Sequence, residues 1–167
     1  MNISIREAQD SDWAAIWFVL EPVFRAGETY SFPRTIAESD ARQAWIALPA
    51  ATFVATDENG KILGTYYIKP NQPGQGAHVC NCGYVTVKEA RGKGVASFMC
   101  CHSQEEAKRR NFRSMQFNLV VSSNGSAVRL WKQLGFHIVG TLPKAFNHPT
   151  LGYVDAHIMF KELATSN

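Results

Sequence analysis

The residues with the clearest chemical use lie between Gly83 and Ser97. An apolar alternating run ends at Val87, the turn Lys88-Glu89-Ala90-Arg91-Gly92-Lys93-Gly94 follows, and a helical pattern starts at Val95. The first turn of a helix presents backbone N–H groups without intrahelical acceptors and carries the positive end of the helix dipole, so an anion belongs there. Gly92 and Gly94 let the chain turn sharply and approach a ligand closely, while Arg91 and Lys93 bring charge to the same volume. Pyrophosphate is the guest this combination suits, although a basic turn that merely caps a helix uses the same residue types. Two familiar phosphate patterns do not fit. Gly92-Lys93-Gly94 has neither the loop length nor the hydroxyl of a Walker loop, and the dinucleotide pattern Gly-x-Gly-x-x-Gly fails at Ser97. What stands is Arg91-x-x-Gly94-x-Ala96.

Thiol and metal chemistry find little support. Neither Cys80-x-Cys82 nor Cys100-Cys101 has the two-residue spacer of a zinc knuckle or a thioredoxin-like site. Cys80 and Cys82 share one face of a strand and Cys100 and Cys101 sit about 100° apart on a helix, so buried reduced thiols account for them. His102, His137, His148 and His157 show no ligand spacing and are read as structural, so no metal is expected.

The 167 residues suit one domain, 1–167, with no internal repeat or linker. A chain of this length buries a real core, roughly 70% of its unfolded surface for ~150 residues. No apolar run reaches the ~18 residues of a membrane span, and the opening Met1-Asn2-Ile3-Ser4-Ile5-Arg6 lacks an apolar signal core, so a cytoplasmic protein without membrane attachment is expected. The net charge of +3 is mild, and its one cluster, Lys108-Arg109-Arg110, falls at a predicted helix end where cations complement the dipole. Nucleic acid is not an expected partner.

These residues need a scaffold, and its elements are readable in order. Asn2 to Glu7 alternates as a strand, and Asp10-Ser11-Asp12 caps a helix carrying Trp13, Ile16, Trp17 and Leu20 that weakens near Pro22. Arg25 to Pro33 has polar and aromatic residues without a period and reads as a contact-making loop. Thr35 or Ser39 caps a second helix with Ala41, Ala44, Trp45 and Leu48, stopped by Pro49. Thr52 to Thr56 and Lys61 to Ile68 form a hairpin about Asp57-Glu58-Asn59-Gly60, and His78 to Val87 is a long third member of the meander. After the helix Val95 to Arg110 come the apolar strand Ser114 to Val121, a helix capped by Asn124 and stopped by Gly135, and the strands Phe136 to Thr141 and Val154 to Phe160.

Two motifs and this order resemble the GNAT superfamily of N-acetyltransferases. Arg91-x-x-Gly94-x-Ala96 is similar to its acyl-CoA pyrophosphate loop, Arg/Gln-x-x-Gly-x-Gly/Ala, and Asn124-x-x-Ala127-x-x-Leu130-Trp131-x-x-x-Gly135-Phe136 is similar to its downstream motif, Asn-x-x-Ala-x-x-Leu/Phe-Tyr-x-x-x-Gly-Phe. The resemblance covers almost the whole chain. It implies an α/β GNAT fold: a mixed, mostly antiparallel twisted sheet of about seven strands with about four helices, splayed between the fourth and fifth strands. It also implies acetyl transfer from acetyl-CoA, as co-substrate, to an amine.

By the same resemblance the pantetheine arm pairs with the backbone near Val85 and Val87, and the N–H groups of Gly92, Lys93, Gly94, Val95 and Ala96, with Arg91, hold the pyrophosphate. Asn124 contacts the coenzyme, and a backbone N–H near Tyr84 or Val85 polarises the thioester carbonyl. One position departs from the family: its downstream Tyr, often assigned as the acid that protonates the leaving thiolate, is Trp131, and an indole cannot serve as that acid. Asn81-x-Gly83-Tyr84, with Asn118 and Asn124, looks like the proline-analogue (azetidine-2-carboxylate) acetyltransferases. Gly27 to Phe32, including Tyr30, sits where phosphinothricin-type enzymes carry a substrate loop.

Asn81 and Asn118 either meet the substrate or bridge the splayed strands, since a buried amide without partners costs ~1 to 3 kcal/mol. The attacking amine must lose a proton, for which Glu28 is the first candidate base and His78 the second. A small-molecule amine, an amino acid or analogue that attacks the thioester directly in a ternary complex, is the expected acceptor, and a homodimer is compatible with the family. The alternatives are protein N-terminal or lysine acetylation and a non-catalytic acyl-CoA-binding module.

Overall fold

Residues 2–163 are described by the structure, a computed structural model. The strands are β1 (Ser4–Glu7), β2 (Ala51–Thr56), β3 (Ile62–Pro70), β4 (Val79–Thr86), β5 (Ser114–Val121), β6 (His137–His148) and β7 (Gly152–Glu162). The helices are α1 (Trp13–Ala26), α2 (Glu38–Arg42), α3 (Val95–Arg109) and α4 (Gly125–Gln133). All seven strands form one sheet in the order β1-β2-β3-β4-β5-β7-β6, antiparallel except for the parallel pair β4 and β5.

The helix α1 runs through Pro22 rather than weakening there, and ends where Gly27 takes a left-handed φ of 67° and donates to the Val23 carbonyl at 3.3 Å. Pro22 is tolerated because its missing N–H would have bonded Phe18, on the solvent side of the helix, while Ile16, Val19, Leu20 and Phe24 pack inward. The second helix departs from expectation at both ends. It starts at Glu38 with Ala37 as N-cap, so neither Thr35 nor Ser39 caps it, and Gln43–Ala47 continues it as a wider π turn. That turn delivers the fully buried Trp45 to the sheet, where its Nε1 donates to Thr65 Oγ1 at 3.1 Å and its carbonyl accepts from Thr52 Oγ1 at 2.6 Å.

The last two strands are longer than their apolar cores. An exposed edge strand containing Pro143 and Lys144 lacks the alternation of a half-buried one, and β6 breaks register between Leu142 and Phe146. Lys144 takes a φ of 52° at this bulge, and its N–H bonds Asp155 Oδ1 at 2.9 Å. The bulge re-aims Phe146 and His148 inward, and both are buried. The helix α3 covers the sheet with Val95, Met99, Cys100 and Ala107, and Met99 lies so close over Gly64 that a Cβ there would come within 2.8 Å. Cys80, Cys82 and Cys100 are buried thiols, whereas Cys101, one position further round α3, is exposed.

Candidate active site

The parallel pairing of β4 and β5 is brief. It joins Val79 to Ser114 and Cys80 to Met115 and goes no further, so the strands diverge toward their C-terminal ends. Asn81 marks the point of divergence: its Nδ2 donates to the Gln116 carbonyl at 2.9 Å, and its Oδ1 accepts from Tyr67 Oη at 3.1 Å. Burial raises the Tyr67 pKa and keeps that hydroxyl a donor. A second amide chain crosses the same mouth, from Gln116 Nε2 to Asn118 Oδ1 at 2.9 Å and from Asn118 Nδ2 to Asn71 Oδ1 at 2.7 Å. Both candidate amides bridge strands, Asn81 from a buried position and Asn118 from an exposed one.

Pairing with β3 decides which β4 groups are available. The Val87 N–H donates to the Leu63 carbonyl at 2.9 Å, and in an antiparallel ladder alternate residues face the same neighbour, so Val85 and Val87 both point to β3. The backbone groups facing the opening are therefore those of Tyr84 and Thr86, one residue displaced from the expected Val85 and Val87. The Tyr84 carbonyl already receives the Tyr30 hydroxyl at 3.0 Å, which leaves its N–H to face the opening on that edge. Gly83 admits this arrangement, because a Cβ there would meet Tyr67 at 2.6 Å and the Tyr30 hydroxyl at 3.0 Å.

The Tyr84 side chain points elsewhere. Ser103 gives its own proton to the Cys100 carbonyl at 2.8 Å, so the Tyr84 hydroxyl donates to Ser103 Oγ at 2.7 Å. Burial holds this phenol well above its ordinary pKa and Cys82 likewise, and pushes the Cys100 thiol up to about 11. Neither thiol is ionised near neutrality, and the phenol keeps its proton turned toward Ser103. Trp131 packs on the Tyr84 and Phe117 rings, with centroids 5.1 and 5.0 Å away, and contributes shape without acidity.

Beyond β4 the chain takes a 3-10 turn, Lys88–Ala90, then Gly92 and Gly94 adopt φ of 73° and 83° on either side of Lys93. The N–H groups of Arg91 and Lys93 turn back onto Lys88 and Ala90 at 3.2 Å, whereas those of Val95, Ala96 and Ser97 open the helix α3 with no carbonyl behind them. Val95 is 1% exposed and pins this first turn to the core, while Arg91 and Lys93 stand exposed beside it. Open space surrounds both glycines, so their conformation rather than crowding demands them. Asn124 caps α4, with Oδ1 accepting from the Ala127 N–H at 3.4 Å and the Ser126 hydroxyl at 3.2 Å.

A cleft of about 450 Å³ lies between the loop after α1 and the end of β6. Tyr30, Phe32 and Phe146 form its apolar wall, Tyr30 stacking on Phe32 at 6.1 Å, and Arg34, Asn147 and His148 lie at its polar side. Tyr30 belongs both to this cleft and, through its hydroxyl, to the exposed edge of β4. Burial holds that hydroxyl well above its ordinary pKa, so it stays a donor. Glu28 is exposed and outside the cleft lining, and His78 is exposed at the paired end of β4 with Nδ1 3.0 Å from the Gln75 carbonyl. Arg34, Phe146 and His148, none of them singled out as site residues from the sequence, come together only where the α1 loop meets β6. Among the described residues no group of His, Cys, Asp or Glu side chains is placed to hold a metal, and no helix is long and apolar enough to cross a membrane.

A strand pair splayed beside an open helix N-terminus, with a cleft reaching the same strand, suits an acyl-CoA-dependent acyltransferase. Residues 13–136 match the model of the Acetyltransferase (GNAT) family, and the chain belongs to that family. Its members are acetyltransferases. The structure of a GCN5-related N-acetyltransferase from Kribbella flavida superposes with a TM-score of 0.92 at 41% identity, covering 96% of this chain and 98% of that one. The N-acetyltransferase aca1 of Schizosaccharomyces pombe is 36% identical over 113 residues, 66% of this chain and 53% of that protein. The chain thus spans about half of that relative's length, and its match to Protein SPT10 of Saccharomyces cerevisiae covers 13% of the latter. A phosphinothricin acetyltransferase from Sinorhizobium meliloti, solved with acetyl-CoA, shares the fold at 20% identity with a TM-score of 0.85, over 98% of this chain and 90% of that one.

Proposed function

We propose that this chain is an N-acetyltransferase that moves the acetyl group of acetyl-CoA directly to the amine of a small molecule, an amino acid or an analogue. The observation that carries the reading is the cleft of about 450 Å³ walled by Tyr30, Phe32 and Phe146, which touches β4 through the bond from Tyr30 to the Tyr84 carbonyl. That volume is within the range of small-molecule sites, roughly 300 to 1,000 Å³.

Arg91, Gly92, Lys93, Gly94, Val95 and Ala96 form the pyrophosphate cradle, with Asn124 at the neighbouring helix start. Tyr84 and Thr86 offer the backbone edge to the pantetheine arm, in place of Val85 and Val87. The neutral amine attacks the thioester carbonyl, whose oxygen gathers negative charge opposite the Tyr84 N–H. As the C–S bond breaks, the sulfur leaves as CoA thiolate, because Trp131 offers no proton. The nitrogen's proton passes to water, since Glu28 is exposed and lies outside the cleft lining. Asn81 holds the divergence of β4 and β5 open and Asn118 braces it, so both support the acceptor site.

Four free cysteines accord with a reducing, cytoplasmic setting, and a homodimer would pair along β6, the edge of the sheet. Thiol release from acetyl-CoA, followed across amino acids, proline analogues, polyamines and peptide N-termini, tests the reading. Release with free amino acids or their analogues is expected. Release with peptides alone would move the acceptor to protein, and acetyl-CoA binding without release from any amine would leave a binding module.

A further inference from the structure

One side of the acceptor cleft is built as a receiver for negative charge. His148, at the end of β6, is 7% exposed, and its Nδ1 accepts the backbone N–H groups of Thr150 and Leu151, both at 3.2 Å. A ring nitrogen that accepts two backbone N–H groups carries no proton, so the neutral ring keeps its proton on Nε2. Among the described residues Nε2 has no hydrogen-bond partner. Among those residues no buried side-chain nitrogen or oxygen lacks one, so Nε2 retains contact with solvent, and His148 is one of the residues that line the cleft. It stands there as a fixed donor.

Arg34 lines the same cleft. Its Nε donates to the Arg25 carbonyl at 2.7 Å, and its stem lies against Gly27, where a Cβ would come within 2.8 Å. The guanidinium is therefore held in place, yet among the described residues no carboxylate pairs with it, whereas Arg25 beside it pairs with Glu21 at 3.4 Å.

We infer that Arg34 and the Nε2–H of His148 bind the carboxylate of the acceptor, so that the enzyme selects amines bearing an acid group and lays their hydrocarbon against Tyr30, Phe32 and Phe146. This rests on the reading of the cleft as the acceptor site. A planar guanidinium and a second donor lining one cleft can answer a carboxylate's two oxygens, which an uncharged amide or a plain amine cannot offer.

The test compares an amino acid with its carboxamide as acceptors for the wild type, Arg34→Gln, Arg34→Lys and His148→Asn. The shorter amide of His148→Asn would keep an oxygen near the position of Nδ1 for the turn but has no donor at the place of Nε2. In the wild type the acid exceeds the amide in kcat/KM. Each of Arg34→Gln and His148→Asn lowers kcat/KM for the acid about ten- to a hundredfold, mostly through KM. The acid-to-amide ratio collapses toward one, KM for acetyl-CoA holds, and Arg34→Lys recovers part of the loss. The second readout is the Nε2–H resonance of ¹⁵N-histidine-labelled protein with CoA bound, which shifts on adding the amino acid and not its amide.

Equal use of acid and amide, with the His148 resonance unmoved, overturns the anchor while leaving the transferase intact. A carboxylate-dependent shift without turnover of any amine supports the anchor and overturns the transferase reading instead.

Discussion

At the scale of single residues, backbone conformation explains more of the site than side-chain chemistry does. Gly94 has open space around it and a φ of 83°, a region that costs an L-residue roughly 1 to 2 kcal/mol. Gly94→Ala is expected to lower the melting temperature by about 4 °C and to weaken acetyl-CoA binding about tenfold, equivalent to about 1.4 kcal/mol. Titration calorimetry and thermal unfolding check the two effects, and unaltered affinity would remove the cradle role of this turn. Glu28 is a contrasting case, an ionisable residue of suitable chemistry in an unsuitable place. Glu28→Gln is expected to change kcat/KM less than about threefold, with the rate still rising with pH as the acceptor amine deprotonates. A loss of a hundredfold or more would restore Glu28 as the base. The left-handed turn at Gly94 and the cap by Asn124 were legible in the sequence because both follow from local turn and cap chemistry. The meeting of Arg34 and His148 at one cleft was not, because it joins two segments more than a hundred positions apart in the chain.

At the scale of elements, the divergence of β4 from β5 creates the site, and Asn81 is its wedge. Its side-chain amide takes the Gln116 carbonyl at the point where the parallel ladder stops, while Tyr67 closes the other side. Asn81→Ala leaves both partners in a largely buried place, and a loss of about 1 to 3 kcal/mol is expected in denaturant unfolding, with a fall in turnover that acetyl-CoA excess does not repair. Neutral behaviour in both would contradict the wedge. Which edge of β4 faces the opening could not be read from β4 alone. Its alternation is plain, but the phase is set by the bond from Val87 to Leu63 on a different strand, and an error of one residue exchanges the two edges. The π turn at Gln43–Ala47 escaped for a similar reason, because tertiary demand for Trp45 against Thr65 overrides an ordinary helical pattern.

At the scale of the whole molecule, the order of strands and helices was legible because their apolar periods and caps are locally consistent, and the two motifs fall at the junctions that this order creates. The bulged β6 was less legible, since an edge strand with Pro143 and polar residues lacks an apolar period. Helix-to-sheet packing also leaves a pH signature on stability. His102 of α3 accepts the Tyr66 hydroxyl at Nδ1, 2.7 Å away, and burial, followed by the charge of Arg109, depresses its pKa below 6.5. The unfolded chain therefore takes up this proton more readily than the folded one. The stability His102 contributes is complete above pH 6.5 and is lost as pH falls through the window between that value and the lower folded pKa. Unfolding at pH 7 and pH 5 should show a larger loss for the wild type than for His102→Asn, and equal losses would refute the assignment. The claim that binds all three scales is direct acetyl transfer within one cleft, and the most direct measurement is the fate of a ¹³C-acetyl group supplied as acetyl-CoA together with an amino acid. The account predicts the label on the amino acid's nitrogen, matched one for one by released CoA, with none on the protein. Label retained on a cysteine, or acetyl-CoA bound and left intact, would contradict it.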